Sequence, residues 1–430
     1  MFITFFKRKI KEDLVKVLSL TALANLIKIG INLVTTKVIA VIIGPNGVAI
    51  LGQFTNLMST LTTTSTGGVS NGIVRYVSEY KDNETKYYGY INSALSITLF
   101  FSAFSALILV LFAKQICFGL FSDLAYISII YITAATIILY SANSFLLSII
   151  NGRKLYDKFI LINLLSSFTG FTFTLILVYF FKVYGALLAL ATYQSIVILI
   201  TIQIVRKNNL FSLRNISISF SKEKWLQLLG YSLMAVVGLI WPLINILIRS
   251  TIIAEISISS AGIWEGMTRI SGLITAIVGT AISTYFLPHF SEIVEESILK
   301  KEVISGLKII LVVTFIIVLV LFFFKSIIIN ILYTKEFVSM KELFLYQLSG
   351  DFFWVAKMTL SIIFIAKAMI KKYVFFELFF GLMYLGLSLL FIHCGLGLKS
   401  VPLAHLIYNL IYFIAMVYIF RNLFFGKSRI

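Results

Sequence analysis

Six Lys and Arg residues lie inside long apolar stretches of the 430-residue chain, where little water is available to solvate a charge. A charged side chain at the centre of a membrane helix costs roughly 2.5–3.5 kcal/mol to insert. Such side chains must face water, a counter-charge or an anionic ligand. A surplus of cations in one place favours an anion such as phosphate or pyrophosphate. The six residues are Lys28, Lys37, Arg249, Arg269, Lys357 and Lys367.

Three carboxylates accompany these cations. Glu265 precedes Arg269 by four residues, so an intrahelical ion pair and a functional role both stay open. Asp351 lies among aromatic residues and is a candidate proton carrier or ion-pair partner. Glu377 is a candidate partner of Lys367, which alternatively extends to the membrane interface. We predict that Asp351, Glu265, Lys367 and Glu377 act in coupling or ion pairing.

Polar residues also share one face of the first apolar segment. Lys28 and Asn32 are separated by one helical turn, and Gln53 and Asn56 begin a similar face on the second segment. Two neighbouring polar faces predict a water-filled cavity. Lys37 lies half a rotation from Lys28, so cavity lining and extension to the outer surface stay open. The predicted substrate-binding residues are Lys28, Lys37, Asn32, Gln53, Asn56, Asn245, Arg249, Arg269 and Lys357.

The composition defines the elements that position these side chains. Hydrophobic residues make up 60% of the chain and charged residues 13%, against about 45–50% and about 25% in soluble domains. Soluble, disordered and disulfide-scaffold classes are therefore excluded. A membrane-spanning helix needs about 20 apolar residues. We predict an all-α membrane protein with twelve such helices, at 17–43, 48–73, 90–113, 124–150, 159–181, 184–205, 225–252, 261–288, 303–325, 342–369, 374–394 and 401–420.

The formal net charge of +18 reflects the orientation of these helices. With a cytoplasmic N-terminus, 24 Lys and Arg residues fall on the cytoplasmic side and 6 on the opposite side. Because cytoplasmic loops are enriched in cations, both termini are predicted to be cytoplasmic. This distribution explains the basic excess without a nucleic-acid partner.

An internal repeat relates the two halves of the chain. A shift of 213 residues places Asn32 on Asn245 and Thr55 on Thr268. Parallel repeats of this kind build transporters whose substrate site lies between the halves. We therefore predict two pseudo-symmetric six-helix lobes around a central cavity. The predicted parts are the lobe 1–205, the cytoplasmic linker 206–224 and the lobe 225–430.

Motifs of enzyme chemistry are missing from the chain. His289, His393 and His405 lack the spacing of metal ligands, and no phosphate-binding loop occurs. Cys117 and Cys394 are most simply small hydrophobic residues. We predict a protein that is not an enzyme and that needs no cofactor or metal.

Several motifs resemble those of the bacterial Wzx-type flippases, which include O-antigen and lipid III flippases. This family forms the polysaccharide-transport branch of the multidrug/oligosaccharidyl-lipid/polysaccharide exporter superfamily. The likeness extends over most of the chain. The stretches that carry it are IKIG at 27–30, GPNG at 44–47, GIVRYVSEY at 72–80, GIWEG at 262–266, FLP at 286–288, residues 337–351 and IAKA at 365–368.

The resemblance implies a flippase that moves an undecaprenyl-pyrophosphate-linked oligosaccharide, an O-antigen-type repeat unit, across the bacterial inner membrane by alternating access. Its expected partners are the lipid-linked oligosaccharide and membrane lipids, with a glycan polymerase and a chain-length regulator as further candidates. The residues that match family-like positions are Lys28, Lys37, Arg249, Asp351 and Lys367.

Two other functions compete with this one. A multidrug or cation exporter of the same superfamily would need carboxylates in the cavity, where segment 1 has lysines. A membrane enzyme such as the glycan polymerase would need a large outer loop, and the longest outer stretch is near 326–341. Because Glu265, Arg269 and Lys357 depart from the family pattern, the identity of the glycan stays open.

Overall fold

The computed structural model describes residues 2–208, 210–212, 215–279, 282, 286, 289–290, 293, 295–367 and 369–421. Every regular element within these residues is a helix, which confirms the predicted all-α class. The chain divides into two compact units. Unit 1 comprises Met1–Ile42 and Gln53–Leu243, and unit 2 comprises Ile43–Gly52 and Ile244–Ile430.

The first seven helices lie wholly or mainly in unit 1. They are α1 (Phe2–Ser65), α2 (Ser70–Glu79), α3 (Glu84–Leu111), α4 (Ala113–Phe121), α5 (Ile127–Gly152), α6 (Tyr156–Lys207) and α7 (Lys222–Gly238).

Two of these helices are broken by a residue with positive φ. The break in α1 is at Gly44 (φ 61°), and the break in α6 is at Lys182 (φ 49°). An unbroken 52-residue helix would extend about 78 Å, whereas the hydrocarbon core of a bilayer is about 30 Å thick. Each half of α6 therefore has the length of one span. Both breaks fall between segments that the sequence separates, at 43–48 and 181–184.

The core of unit 1 forms where α2, α3 and α5 pack together. Buried aliphatic side chains such as Ile73, Ile97 and Ile149 fill this core. Helix α7 packs on it as well, because Leu228 is fully buried there and Tyr90 Oη donates a hydrogen bond to Gln227 Oε1 at 2.5 Å. The sequence-based boundary at 206–224 therefore differs from the structural one, which follows α7.

Unit 2 contains the remaining helices, the first of which begins at the unit boundary. They are α8 (Ile240–Glu255), α9 (Ile258–Ile274), α10 (Glu296–Phe323), α11 (Lys325–Leu332), α12 (Phe344–Ala366), α13 (Ile370–His393) and α14 (Ser400–Ile419). A π-helical turn, Thr275–Gly279, continues α9. Helix α12 is central, since it packs against α9, α10, α13 and α14.

Eight helical stretches among the described residues are long and apolar enough to cross a membrane. Two of them contain the breaks in α1 and α6. The predicted span 225–252 is instead divided between α7 and α8, which have 17 and 16 residues. The multi-pass membrane class is thus confirmed, whereas the count of twelve spans and the cytoplasmic termini stay predictions. The eight are Leu23–Ser65, Glu84–Leu111, Leu124–Gly152, Tyr156–Lys207, Ser297–Phe323, Phe344–Ala366, Lys371–His393 and Gly397–Ile419.

Candidate functional site

Helices α8 and α9 bring three charged side chains of unit 2 together. Arg249 Nη2 donates to Glu265 Oε2 at 2.5 Å, and Arg269 Nε donates to Glu265 Oε1 at 3.0 Å. The Arg249 guanidinium also lies over the ring of Trp264, 5.1 Å from its centroid, a favourable cation–π distance. We call Arg249, Glu265 and Arg269 the arginine cluster. One carboxylate between two guanidinium groups leaves this cluster with a formal charge of +1.

The two arginines of this cluster differ in their access to solvent. The side chain of Arg249 is 3% exposed, whereas that of Arg269 is 24% exposed. The intrahelical Glu265–Arg269 ion pair, one of the two alternatives that the spacing left open, is present in the structure. Glu265 also forms an ion pair with Arg249. Arg269 offers the more accessible of the two guanidinium groups.

Residues 43–52 pack directly on the arginine cluster within unit 2. A Cβ atom at Gly52 would lie 2.8 Å from Glu265 Cδ and 3.0 Å from Arg249 Cζ. Likewise, a Cβ atom at Gly262 would lie 1.8 Å from the carbonyl oxygen of Pro45. Glycine permits both close approaches because it has no side chain. The GPNG and GIWEG motifs therefore meet beside the cluster.

Asp351 on α12 is surrounded by hydrogen-bond donors. Ser271 Oγ donates to Asp351 Oδ2, and His405 Nε2 lies 3.0 Å from Asp351 Oδ1. Gln347 Nε2 lies 3.0 Å from Ser271 Oγ and 3.4 Å from Asp351 Oδ1. Asn409 Nδ2 lies 3.3 Å from His405 Nδ1. We call these five residues the histidine network. Among the residues that the structure describes, the titratable side chain in contact with Asp351 is a histidine and not a lysine or arginine.

A third charged group joins α12, α13 and α14. Lys357 Nζ lies 3.6 Å from Glu377 Oε1 and 4.3 Å from the ring centroid of Tyr412. Tyr412 Oη donates to Glu377 Oε1 at 3.1 Å, and Phe380 stacks on Tyr412 with centroids 4.1 Å apart. The Lys357 and Glu377 side chains are only 5% and 8% exposed. We call Lys357, Glu377 and Tyr412 the lysine cluster. Because this cluster is enclosed, it gives no support to the predicted contact of Lys357 with substrate.

Among the described residues, Lys367 does not pair with Glu377, the carboxylate that the sequence suggests as its candidate partner. Its ammonium group donates to the backbone carbonyl of Ile293, at the end of α12, while Glu377 is engaged by Lys357. Asn245 lies one turn before Arg249 on α8 and is partly exposed.

The predicted binding residues of unit 1 lie along α1. Lys28 is half-buried, and it makes no hydrogen bond or ion pair with the residues that the structure describes. Asn32 is exposed, Lys37 and Asn56 are partly exposed, and Gln53 is buried. That these residues and the arginine cluster line one cavity stays a prediction.

Unit 1 also contains a partly open apolar cavity of about 460 Å³. It lies between α1, α3 and α7. Phe101, Phe104 and Leu239 contribute to its walls, with Gly67 and Gly68 at its end near α2. Such a cavity accommodates hydrocarbon and not a charged group.

Sequence reasoning missed five polar residues that complete these clusters. The predicted site residues do not include Ser271, Gln347, His405, Asn409 or Tyr412. His405 and Asn409 stand one turn apart in an otherwise apolar segment, and that spacing predicts a shared polar face. The partner of that face, Asp351, is 54 residues away.

Buried charge clusters shared between membrane-crossing helices are typical of membrane transporters. Solved structures of membrane transporters have a similar fold. The structure resembles an inward-facing MATE family multidrug transporter of the MOP superfamily (TM-score 0.74, 15% identity, 93% of this chain and 96% of that chain). It also resembles the lipid II flippase MurJ in an inward closed conformation (TM-score 0.76, 14% identity, 93% and 87%). The chain therefore has the fold of this class of membrane protein.

Within this class, the chain belongs to the family of polysaccharide biosynthesis proteins, whose family model matches residues 14–294. The chain is 28% identical over 363 residues to the lipid III flippase of Escherichia coli (strain K12), covering 83% of this chain and 86% of that protein. The lipid III flippase of Shigella flexneri matches to the same extent.

Proposed function

We propose that this protein is a flippase that translocates a lipid-linked oligosaccharide across the bacterial inner membrane by alternating access. The observation that carries the proposal is the similarity to lipid III flippases, which extends over 83% of the chain. A flippase performs no covalent chemistry on its cargo, and the relatives are transporters. The proposal accordingly includes neither enzymatic activity nor a cofactor.

The arginine cluster supports an anionic cargo. Two guanidinium groups present paired N–H donors, the geometry that carboxylates and phosphates accept best. In the structure Glu265 occupies both groups as an internal anion. A pyrophosphate would compete with Glu265 for them, and it would reach Arg269 first because that side chain is more exposed.

The remaining predicted residues complete the proposal. Lys28 and Lys37 would hold the pyrophosphate together with Arg249. Amide side chains on α1 and α8 would hydrogen-bond glycan hydroxyl groups, and these are Asn32, Gln53, Asn56 and Asn245. The apolar cavity of unit 1 would suit part of the hydrocarbon tail. A glycan polymerase and a chain-length regulator are proposed as downstream partners.

A multidrug or cation exporter is the competing function, because MATE transporters share the fold. The charge of the arginine cluster opposes it, since a formal +1 charge in a buried site repels a cationic drug. Export of a cationic dye that depends on this protein would favour the exporter.

Complementation tests the proposal directly. The protein is expressed in two bacterial strains, one lacking its O-antigen flippase and one lacking its lipid III flippase, and the lipid-linked intermediates are extracted. We expect it to relieve accumulation of the intermediate in one strain or both, which also identifies the glycan. No relief in either strain, with the protein present in the membrane, would contradict the proposal.

A substitution of Lys28 gives the most direct test of the predicted binding site. Lys28→Ala should lose complementation while the membrane level of the protein stays unchanged, because Lys28 makes no hydrogen bond or ion pair with the described residues whose loss would destabilise the fold. Lys114→Ala, at an exposed lysine of α4, is the matched control and should complement like the parent. Full complementation by Lys28→Ala would remove Lys28 from the site.

A further inference from the structure

The histidine network is a buried set of groups that flipping of an anion does not by itself require. Asp351 is 6% exposed and Asn409 is fully buried. A Cβ atom at Gly350 would lie 2.3 Å from His405 Cδ2, so the missing side chain at 350 makes room for the imidazole beside α12. An ionisable pair seated in this way inside a membrane protein marks a functional site by default.

The hydrogen bonds of the network define its protonation state. Ser271 and Gln347 both direct donors at Asp351, and donors surround an ionised carboxylate. His405 must then donate its Nε2–H to Asp351. Asn409 Nδ2 donates to the backbone carbonyl of His405 at 2.9 Å and lies 3.3 Å from His405 Nδ1 and 3.4 Å from Nε2. A donor beside the ring suits a neutral imidazole whose Nδ1 is an acceptor. The structure therefore fits an ionised Asp351 beside a neutral His405.

Two buried acceptors are left over in this state. Gln347 Oε1 and Asn409 Oδ1 have no hydrogen-bond partner among the residues that the structure describes, although buried polar atoms in proteins are nearly always bonded. Both atoms belong to terminal amides, which can present either an acceptor or a donor after a half rotation. If His405 Nδ1 gains a proton, Asn409 can turn its oxygen towards it. If Asp351 gains the proton, Gln347 Oε1 can accept from the carboxyl group.

We propose that Asp351 and His405 form the proton-binding site that couples transport to a proton gradient, with Asn409 and Gln347 as amides that bond to both protonation states. The coupling role rests on the proposed flippase function, whereas proton binding does not. Ser271 lies on α9, the helix that also carries Glu265 and Arg269. Helix α9 therefore contacts both the proton site and the arginine cluster.

The surroundings supply no other charge in contact with the pair among the described residues. On α13 the nearest titratable group is Tyr384, whose ring centroid lies 6.1 Å from that of His405. On α14 the ring of Tyr408 lies 5.6 Å away. Glu377 is occupied by Lys357 and Tyr412. One proton therefore changes the network from a lone carboxylate to a neutral ion pair or carboxylic acid.

Nitrogen NMR tests proton binding without any substrate. The chain has three histidines, so protein labelled with 15N at histidine and held in lipid bilayers shows three imidazoles. His289→Gln, His393→Gln and His405→Gln assign them. When the pH is lowered from roughly 9 to roughly 5, we expect the spectrum to show the His405 imidazole passing from neutral to doubly protonated. In Asp351→Asn the doubly protonated form of His405 should be lost from this range, because the carboxylate that balances its charge is gone.

Transport tests the coupling. Proteoliposomes are loaded with the lipid-linked oligosaccharide that accumulates in the flippase-deficient strain before it is complemented, and flipping is followed with and without a difference of one pH unit. One unit is a factor of ten in proton activity, so the initial rate should change by up to about tenfold. His405→Gln should lose this response, and His393→Gln, an exposed histidine at the end of α13, should keep it.

The outcomes separate the two proposals. A His405 that stays in one protonation state throughout, or that titrates identically in Asp351→Asn, overturns the proton site whatever the transport result. An equal gradient response in His405→Gln and the parent overturns the coupling role. A parent protein that flips nothing contradicts the flippase proposal, and the NMR result then decides the proton site alone.

Discussion

Gly52 is the position where a single methyl group should reveal whether residues 43–52 seal the arginine cluster. In Gly52→Ala the new Cβ would lie 2.8 Å from Glu265 Cδ, where ordinary contact begins at 3.4 Å. Glu265 must therefore retreat by about 0.6 Å. Its hydrogen bond to Arg249 would then exceed 3 Å, beyond the usual length of a charge-assisted bond. Overpacking of this kind costs about 1–3 kcal/mol.

Thermal unfolding of the purified protein in detergent measures this cost. Gly30→Ala is the matched control, because no heavy atom lies within 4 Å of a Cβ at that position. A helical Gly→Ala change is by itself favourable by up to about 1 kcal/mol. The control should therefore match or exceed the parent midpoint, and Gly52→Ala should fall below it. Complementation should fall with Gly52→Ala and stay unchanged with Gly30→Ala.

A second substitution tests whether contact with Glu265 causes the loss of stability in Gly52→Ala. Glu265→Asp shortens the carboxylate side chain by one methylene and returns the space that the alanine takes. The two changes should therefore be non-additive, with a coupling of about 0.5–3 kcal/mol, as is found for residues in contact. Additive effects, or a Gly52→Ala protein as stable and active as Gly30→Ala, would show that residue 52 does not press on Glu265.

Two further predictions concern buried charge and backbone strain. Lys357→Met removes the ammonium group that lies 3.6 Å from the buried carboxylate of Glu377 and should destabilise unit 2 by about 3–5 kcal/mol. Adding Glu377→Leu should recover most of this loss in a double-mutant cycle of unfolding midpoints, and no recovery would show that the loss does not come from the Lys357–Glu377 pair. Gly44→Ala places a side chain at φ 61°, which should cost about 1–2 kcal/mol relative to Gly30→Ala by the same measurement; equal midpoints would show that α1 is not broken there in solution.

The breaks in the long helices and the Glu265–Arg269 ion pair can be predicted from the sequence. Gly44 falls between two apolar runs, and a glycine with the following proline ends a helix for local steric reasons. Glu265 and Arg269 are one turn apart, so helix geometry alone brings them together. In each case the interaction involves neighbours in sequence, and no knowledge of the packing was needed.

The ion pairs between residues that are distant in the sequence cannot be predicted in this way. Arg249 could have paired with several carboxylates, and its bond to Glu265 depends on how α8 and α9 rotate against each other. The sequence predicts Lys357 as a substrate contact and offers Glu377 as a candidate partner of Lys367, whereas in the structure Glu377 contacts Lys357. Only the packing of α12 against α13 and α14 shows which lysine reaches the carboxylate. His405 was set aside for lack of metal-ligand spacing, although its partner Asp351 is a carboxylate on another helix.

The distribution of charge in unit 2 links the two proposals. The lysine cluster is neutral, since Lys357 and Glu377 cancel. The arginine cluster carries +1 and the histidine network, with His405 neutral, carries −1, so the formal charges of the three clusters sum to zero. Uptake of one proton by the network raises the sum to +1, and an anion then binds unit 2 more favourably. Because such coupling is reciprocal, a bound pyrophosphate would equally favour the protonated network. The proton would accordingly be taken up with the cargo and released with it, and not exchanged against it.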